Sequence, residues 1–342
     1  MNIASRVRPS LALTAMLAGL LAASCASEAP PAPLPPAPIP PAAPPPPPVA
    51  LSKDLVDAAG VYRAYIRRVS TISPAFPNGP AVEQSLVVAA AYEPKQFLKG
   101  MIAYAALVAL QDSNFVAGVR TYGVDPVQRK SMAARLAADP NYAAAMPGAA
   151  SAAGLVVNAL NADGAKVRDV GNRVKQAAYD VQHQDWSKAA VPNAPARLAQ
   201  AKALSASPLL PPEEETKILA EAVRGSEAKG APLIMGSGAP VTPPFTGVVS
   251  RGLAIAAIAA LGEGGEGGTA LVQGLNEDTT GGFCLNLAKL NLYQCLSVAK
   301  PYYEDVFCLG QHILIDTGQC LAKVAGSPPL ATAAAATPVA TK

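Results

Sequence analysis

Four cysteines lie close together near the C-terminal end of the chain: Cys284, Cys295, Cys308 and Cys320. Apolar segments with helical spacing flank Pro301, at about 285–299 and 302–315, and predict an antiparallel αα-hairpin. In one such hairpin, the cross-helix pairs Cys295–Cys308 and Cys284–Cys320 share nearly the same midpoint beside Pro301. Successive cysteines along one helix would be roughly 16 Å apart, whereas bridged Cα atoms lie within about 7 Å. The spacing therefore predicts two nested disulfides.

The hairpin requires one irregularity, because Cys308 and Cys320 lie about 120° apart around an ideal α-helix. We expect a break at Asp316-Thr317-Gly318 to turn Cys320 toward Cys284. The arrangement resembles the twin CX9C coiled-coil-helix proteins, whose two helices are held by nested bridges, although ten and eleven residues separate the cysteines here. A metal site is the rival interpretation, since Cys308 and His312 share a helix face opposite Cys295. We favour disulfides and predict neither a metal nor a cofactor.

Residues 1–24 have the order of a secretory signal peptide: Arg6 and Arg8, an apolar run and then small residues. The apolar run is too short to cross the roughly 30 Å hydrocarbon core of a bilayer. The segment Leu21-Ala22-Ala23-Ser24-Cys25 resembles the lipobox of bacterial lipoproteins, with its leucine one place early. The resemblance implies cleavage before Cys25, acylation of Cys25 and, because Ala26 follows it, the outer membrane. Ordinary cleavage near Ala26, giving a soluble periplasmic or secreted protein, is the alternative.

Residues 25–50 form a proline-rich spacer in this interpretation. Thirteen prolines lie between positions 30 and 48. Proline lacks a backbone N–H and has a fixed φ, so the segment favours an extended polyproline II conformation of ~3.1 Å per residue. It predicts a spacer that holds the body up to about 60 Å from the lipid surface.

Residues 51–325 are rich in alanine and leucine at helical spacing and show no sustained period-two alternation. This pattern predicts an all-α body, a multi-helix bundle that ends in the disulfide-stapled hairpin. The body divides into a helical part at 51–223, a loop at 224–249 and a C-terminal helical part at 250–325. A disordered tail is expected at 326–342. Asp125-Pro126 and Asp139-Pro140 each predict a helix start with a capping carboxylate.

The segment 151–188 predicts a long or once-broken helix with apolar residues at three-four spacing. Such a seam requires a partner helix, and we favour one from the same chain over one from a second copy. Gly154, Gly164 and Gly171 predict places where two helices approach closely. The glycine-rich segment 262–268 predicts a turn rather than a phosphate loop, because its two glutamates would repel phosphate.

Charge and motif content identify no particular enzymatic chemistry, and the absence of a known motif does not exclude an enzyme. The net charge is +3, and it falls to +1 when Arg6 and Arg8 leave with the leader, which gives no electrostatic reason to bind nucleic acid. The chain has two histidines. His183 could contact a ligand and His312 could act as a general base, but no known catalytic motif surrounds either. No catalytic residue is predicted.

The leading hypothesis is an outer-membrane lipoprotein, anchored in the bilayer through acylated Cys25, whose body is a structural or adaptor module. Its expected partners are other envelope proteins or itself. One rival is a periplasmic hydrolase of envelope polymers, with a polar cleft around His183 or the 224–249 loop. Another is a carrier of an apolar ligand, with a cavity between the predicted helices at 95–110 and 253–261. A packed interior and an apolar patch on the 151–188 helix would favour the adaptor.

Overall fold

A computed structural model describes residues 45–226 and 239–326. The predicted signal peptide at 1–24, the lipidation site Cys25 and most of the proline-rich spacer lie outside these residues. The same holds for the middle of the 224–249 loop and for the predicted tail after Gly326. The expectations for these segments therefore stay predictions.

The described residues fold into helices and connecting loops, with short 3-10 turns at Pro140–Ala145, Glu266–Gly268 and Gln273–Leu275 and a π-helical segment at Leu309–Ile315. The α-helices are α1 (Lys53–Ser70), α2 (Gly79–Ala90), α3 (Pro94–Ala109), α4 (Ser113–Arg120), α5 (Pro126–Ala138), α6 (Ala149–Val181), α7 (Asp185–Lys188), α8 (Ala194–Ala206), α9 (Glu213–Gly225), α10 (Gly247–Ala260), α11 (Thr269–Val272), α12 (Thr279–Val298), α13 (Tyr302–Cys308) and α14 (Asp316–Ala325).

The predicted all-α bundle is confirmed, and the described residues contain no strand beyond one isolated bridge between Ala190 and Pro301. Local capping explains several helix starts. The Asp125 carboxylate accepts a 2.7 Å hydrogen bond from the backbone N–H of Gln128 at the start of α5. Asp139 caps in the same way, but it begins a 3-10 turn rather than an α-helix.

Helices from both predicted parts of the body share one core. Tyr62 and Tyr65 of α1 contact the Phe97 ring of α3, with ring centroids about 5 Å apart. Helix α3 also packs directly on α10, where a Cβ atom placed on Gly252 would lie 2.6 Å from Cβ of Ala105. Polar side chains occur in α10 only at Ser250 and Arg251, and every residue of the helix except Gly247 and Arg251 is buried, which fits a helix packed between such neighbours.

Helix α6 finds its partner within the chain. It crosses the π-helical segment and α14, and glycines allow their backbones to meet. A Cβ atom on Gly164 would lie 2.8 Å from the carbonyl oxygen of Gly318, and one on Gly171 would lie 2.8 Å from the backbone nitrogen of Ile315. This confirms the expectation that Gly164 and Gly171 mark close helix packing.

The close helix crossing at Gly310 predicts the direction in which a substitution there changes the stability of the protein. A Cβ atom on Gly310 would lie 2.5 Å from the backbone nitrogen of Lys175, which cannot move without shifting α6. We expect Gly310→Ala to lower the free energy of unfolding by about 2 kcal/mol, measured by urea denaturation. The overlap outweighs the roughly 1 kcal/mol by which alanine favours a helix over glycine.

Gly282 of α12 is the matched control for Gly310. The nearest atom to its added Cβ would be Cδ2 of Leu98 at 3.7 Å, an ordinary contact. Gly282→Ala is therefore expected to stabilise the protein by up to about 1 kcal/mol. Destabilisation by both variants, or by neither, would contradict the packing argument.

The C-terminal hairpin forms as predicted, but its irregularity lies elsewhere. Disulfides join Cys284 to Cys320 and Cys295 to Cys308, with Cα atoms 5.7 Å apart in each pair. The break expected at Asp316-Thr317-Gly318 is wrong, because these residues begin α14. The register is corrected by the π-helical segment between the cysteines. Its wider i→i+5 turns lower the rotation from the roughly 100° per residue of an α-helix to roughly 80°. Over seven residues this difference roughly cancels the 120° by which Cys308 and Cys320 would be misaligned on an ideal α-helix.

The end of the proline-rich segment packs on the body. One guanidinium nitrogen of Arg120 donates to the carbonyl of Pro47 at 2.9 Å, and the other donates to Pro46 at 3.3 Å. The backbone N–H of Ala50 donates to the carbonyl of Ala259 at 3.2 Å. The chain therefore enters the described body at the C-terminal end of α10.

Within residues 45–226 and 239–326, no one helix has both the length and the hydropathy to cross a bilayer. Helices α3 and α4 meet those thresholds only when taken together, and they are bent by 86° relative to each other.

Candidate protein-docking surface

Helix α12 carries four large apolar side chains in solvent. Their exposed fractions are 68% for Phe283, 43% for Leu287, 53% for Leu290 and 74% for Val298. The other exposed residues of this helix are uncharged: Thr279, Thr280, Asn286, Gln294 and Ser297. Solvated helix faces normally carry charged residues, so this face is a candidate interaction surface. We call Phe283, Leu287, Leu290 and Val298 the apolar face of α12.

The spacing along this face is that of a helix-packing seam. Phe283, Leu287, Leu290 and Gln294 follow one another at intervals of four, three and four residues, the alternation that a second helix packs against. Two turns of apolar side chains are thus followed by one polar position. This seam is exposed to solvent in the described structure.

The single charged residue of α12 points inward. Lys289 is 3% exposed, and its ammonium nitrogen donates to the carbonyl of Ala90 at 2.7 Å and lies 3.3 Å from the ring centroid of Tyr92. Burial lowers the pKa of Lys289 well below its usual range, against the opposing attraction of Glu93. The inward position of Lys289 is what leaves the exposed face of α12 without charge.

The two disulfides fix α12 at both ends of the apolar face. Cys284 follows Phe283 and forms a disulfide with Cys320 of α14. Cys295 precedes Val298 and forms a disulfide with Cys308 of α13. A side chain that is exposed on such a helix cannot bury itself by local rearrangement of α12. The apolar face is therefore presented to solvent in a fixed orientation.

A pocket of about 320 Å³ continues the apolar face at Val298. The Cys295–Cys308 disulfide contributes to its wall, and the rings of Tyr179 and Phe307 meet edge to face with centroids 6.3 Å apart. We call this site the aromatic pocket. Its size and lining suit one large apolar side chain of a partner, which is the usual form of a binding hot spot.

A buried ion pair holds the corner between α12 and α13, next to this pocket. Arg197 of α8 donates to the Asp305 carboxylate at 2.5 Å and to the carbonyl of Leu296, and it lies 3.4 Å from the carbonyl of Ala299. These carbonyls end α12, where no further backbone N–H is available to them. Arg197 is 8% exposed and Asp305 is fully buried.

This ion pair predicts a pH dependence of stability. Burial raises the pKa of Asp305 from 3.8 to about 6, against the opposing attraction of Arg197. The folded protein therefore binds this proton more tightly than the unfolded chain does. The stabilisation that comes from binding this proton is complete below the unfolded pKa of 3.8 and is lost as the pH rises through about 6.

We expect the free energy of unfolding, from urea titrations at successive pH values, to fall between about pH 4 and 6.5. Asp305→Asn should flatten this part of the profile, because asparagine does not titrate. A wild-type profile that rises over the same interval, or an unchanged slope in the variant, would contradict the assignment.

The histidines occupy different environments. Nδ1 of His312 lies 3.3 Å from Oδ2 of Asp316, a carboxylate that also accepts a 3.0 Å hydrogen bond from Asn291. His183 is exposed after the end of α6, with Gln182 as its neighbour. The two residues are not brought together. The alternative metal site of Cys308, His312 and Cys295 is wrong because both sulfurs are in a disulfide.

The described residues contain no group of three or more histidines, cysteines or carboxylates placed to hold a metal ion. Helices α3 and α10, between which the carrier hypothesis predicts a cavity, pack directly against each other at Gly252 and Ala105. The 151–188 helix does not carry the apolar patch that would favour the adaptor: Tyr179, at 48%, is its one exposed large apolar side chain. The larger patch lies on α12 instead.

Sequence reasoning missed the exposed face of α12. The helix is apolar on two sides, and periodicity does not tell which side the body covers. The absence of any exposed charge along twenty residues was the available signal.

No protein-family model, curated protein or solved structure matches this chain.

Proposed function

We propose that this chain is a lipoprotein of the bacterial cell envelope that acts as an adaptor. Acylated Cys25 would anchor it in the outer membrane, and the apolar face of α12 would dock a helix of another envelope protein. The observation that carries the proposal is the uncharged, apolar and disulfide-fixed face of a twenty-residue helix.

The chemistry of the face favours a different protein over a second copy. In an antiparallel pair of α12 helices whose two-fold axis lies between Leu290 and Asn291, each Leu287 would lie opposite Gln294. This would bury an amide against a leucine without a hydrogen-bond partner, which costs roughly 1–3 kcal/mol at each of the two sites. A partner with apolar residues opposite Phe283, Leu287 and Leu290 and a polar residue opposite Gln294 avoids this cost.

The placement of the face suits an adaptor. The proline-rich segment meets the body at the C-terminal end of α10, through Ala50 and Ala259. Helix α12 begins at the other end of α10, where Arg251 lies 3.3 Å from the Asp278 carboxylate that caps α12. Fourteen residues of α10 separate the two ends by about 20 Å, so the tether and the first turn of the docking face do not compete for space.

The test places a photo-crosslinking residue at Gln294, within the seam, and at Val127 as a control. Val127 of α5 is 78% exposed and is not part of the apolar face of α12, so it reports capture by any exposed site. We expect the Gln294 probe to label one envelope protein in intact cells, and the labelled peptide to be an amphipathic helix. The Leu290→Lys change in the same probe protein should abolish labelling, whereas Val127→Lys should not.

Two results would overturn the docking proposal. One is labelling at Gln294 that survives Leu290→Lys. The other is a Gln294 crosslink to the chain itself together with a dimer mass by light scattering, which would place a second copy on the face. The anchor is tested separately: Cys25→Ser should abolish acyl-chain labelling and shift gel mobility, and unchanged acylation would overturn the lipoprotein assignment.

A further inference from the structure

A second cavity opens on the other side of the hairpin, between α2 and α8. Its volume is about 400 Å³, within the range of sites for small organic ligands. Leu296, on the side of α12 away from the apolar face, contributes to its wall, and Leu86 and Leu204 supply further apolar surface. The cavity is therefore distinct from the docking surface.

One carboxylate in this cavity is held in position by an unusual contact. Glu83 of α2 lines the cavity and accepts a 3.2 Å hydrogen bond from the Tyr302 hydroxyl. The Tyr302 ring occupies the space left by Gly79, where an added Cβ would lie 2.2 Å from Cζ of the ring. Gly79 and Glu83 lie one helical turn apart on the same face of α2. The Tyr302 ring that packs at Gly79 therefore places its hydroxyl beside the Glu83 carboxylate.

Of the two charged side chains that line the cavity, Glu83 and Arg197, the Glu83 carboxylate is the one without an ion-pair partner among the described residues. The Arg197 guanidinium is paired with the buried Asp305 and donates to the carbonyls that end α12. Gln200 and Asn193 add neutral amides. The Glu83 carboxylate is therefore available to a cationic group of a ligand.

We propose that this cavity binds a small organic amine with an apolar body. The ammonium group would lie against the Glu83 carboxylate, with the amide oxygens of Gln200 and Asn193 as further acceptors. The hydrocarbon part would pack against Leu86, Leu204 and Leu296. A neutral ligand of the same shape cannot form the charge-assisted hydrogen bond with Glu83. We therefore expect it to bind at least about tenfold more weakly than the amine.

The single tryptophan of the chain provides a built-in reporter. The Trp186 ring centroid lies 6.3 Å from that of Tyr302, whose hydroxyl is bound to Glu83. The full-length protein in detergent is titrated with n-hexylamine, n-hexanol and hexanoate, and tryptophan fluorescence is followed. We expect saturable binding of hexylamine, about tenfold weaker binding of hexanol and no measurable binding of hexanoate.

Two variants locate the site. Glu83→Gln should remove the preference for hexylamine over hexanol, whereas Glu213→Gln on the exposed start of α9 should retain it. Ala196→Phe fills the cavity from its solvent-exposed side and should abolish binding of both ligands. Equal affinity for hexylamine and hexanol in the wild-type protein, an amine preference that survives Glu83→Gln, or binding that survives Ala196→Phe would each overturn the proposal.

Discussion

Arg197→Ala is expected to lower the free energy of unfolding by about 3–5 kcal/mol, because the change leaves the Asp305 carboxylate buried without a counter-charge. It also removes the donor that the Leu296 and Ala299 carbonyls use at the end of α12. Urea denaturation followed by circular dichroism measures the loss. The aromatic pocket should open at the same corner, so exposure of the Cys295–Cys308 disulfide to mild reductant should increase.

The exposed pair Arg173 and Asp169 is the matched control for Arg197. It has the same residue types at 3.3 Å, but both side chains are more than half exposed. Arg173→Ala is therefore expected to change stability by less than about 0.5 kcal/mol. A loss at Arg197 no larger than this would show that the buried pair does not hold the corner.

The double change Arg197→Met with Asp305→Leu separates the two causes of the loss. The ion pair is imperfectly satisfied, since Nε of Arg197 and Oδ2 of Asp305 are buried without hydrogen-bond partners. Replacing both charges by apolar groups should recover most of the stability. The remaining deficit, about 1–2 kcal/mol, should reflect the α12 carbonyls that lose their donor. A double variant as unstable as Arg197→Ala would contradict this division.

Removal of the outer disulfide is the second change with a large expected effect. Cys284 and Cys320 are 36 residues apart, and closing a loop of that length in the unfolded chain is worth about 4 kcal/mol. The inner bridge, Cys295–Cys308, spans 13 residues and is worth about 3 kcal/mol. We therefore expect Cys284→Ala with Cys320→Ala to destabilise the protein more than Cys295→Ala with Cys308→Ala.

Denaturation of the two double variants with and without dithiothreitol measures both effects. The reductant should lower the stability of wild-type protein, and it should act on each variant only through the bridge that remains. A non-reduced proteolytic digest checks the connectivity directly. A larger loss for the inner bridge than for the outer would contradict the loop-length argument. A crosslink between Cys284 and Cys295 would contradict the fold of the hairpin.

The nested disulfides and the capped start of α5 were predictable because each depends on short stretches of chain. The hairpin has one axis beside Pro301, so the positions of Cys284, Cys295, Cys308 and Cys320 relative to it leave a single pairing. Asp125 needs only a backbone N–H three residues away. The glycines of α6 were recognised for the same reason: a residue without a side chain in a long helix indicates a close neighbour.

The π-helical segment was not predictable in this way. The sequence requires a change of register between Cys308 and Cys320, and Asp316-Thr317-Gly318 offered a local place for it. The structure distributes the change over Leu309–Ile315, where Gly310 meets the backbone of α6. Which of the two is adopted depends on contacts with a helix more than a hundred residues earlier, and no local pattern reports them.

Composition and periodicity were enough for an all-α body with a stapled C-terminal hairpin, because helix signals and cysteine spacings act over a few turns of chain. The pairing of Arg197 with Asp305, the inward Lys289 and the exposed side of α12 arose only when distant segments packed together. Each depends on which surfaces are covered by residues far away in the chain. Burial is a property of the assembled body, and the surfaces left uncovered by that body are the ones available for binding.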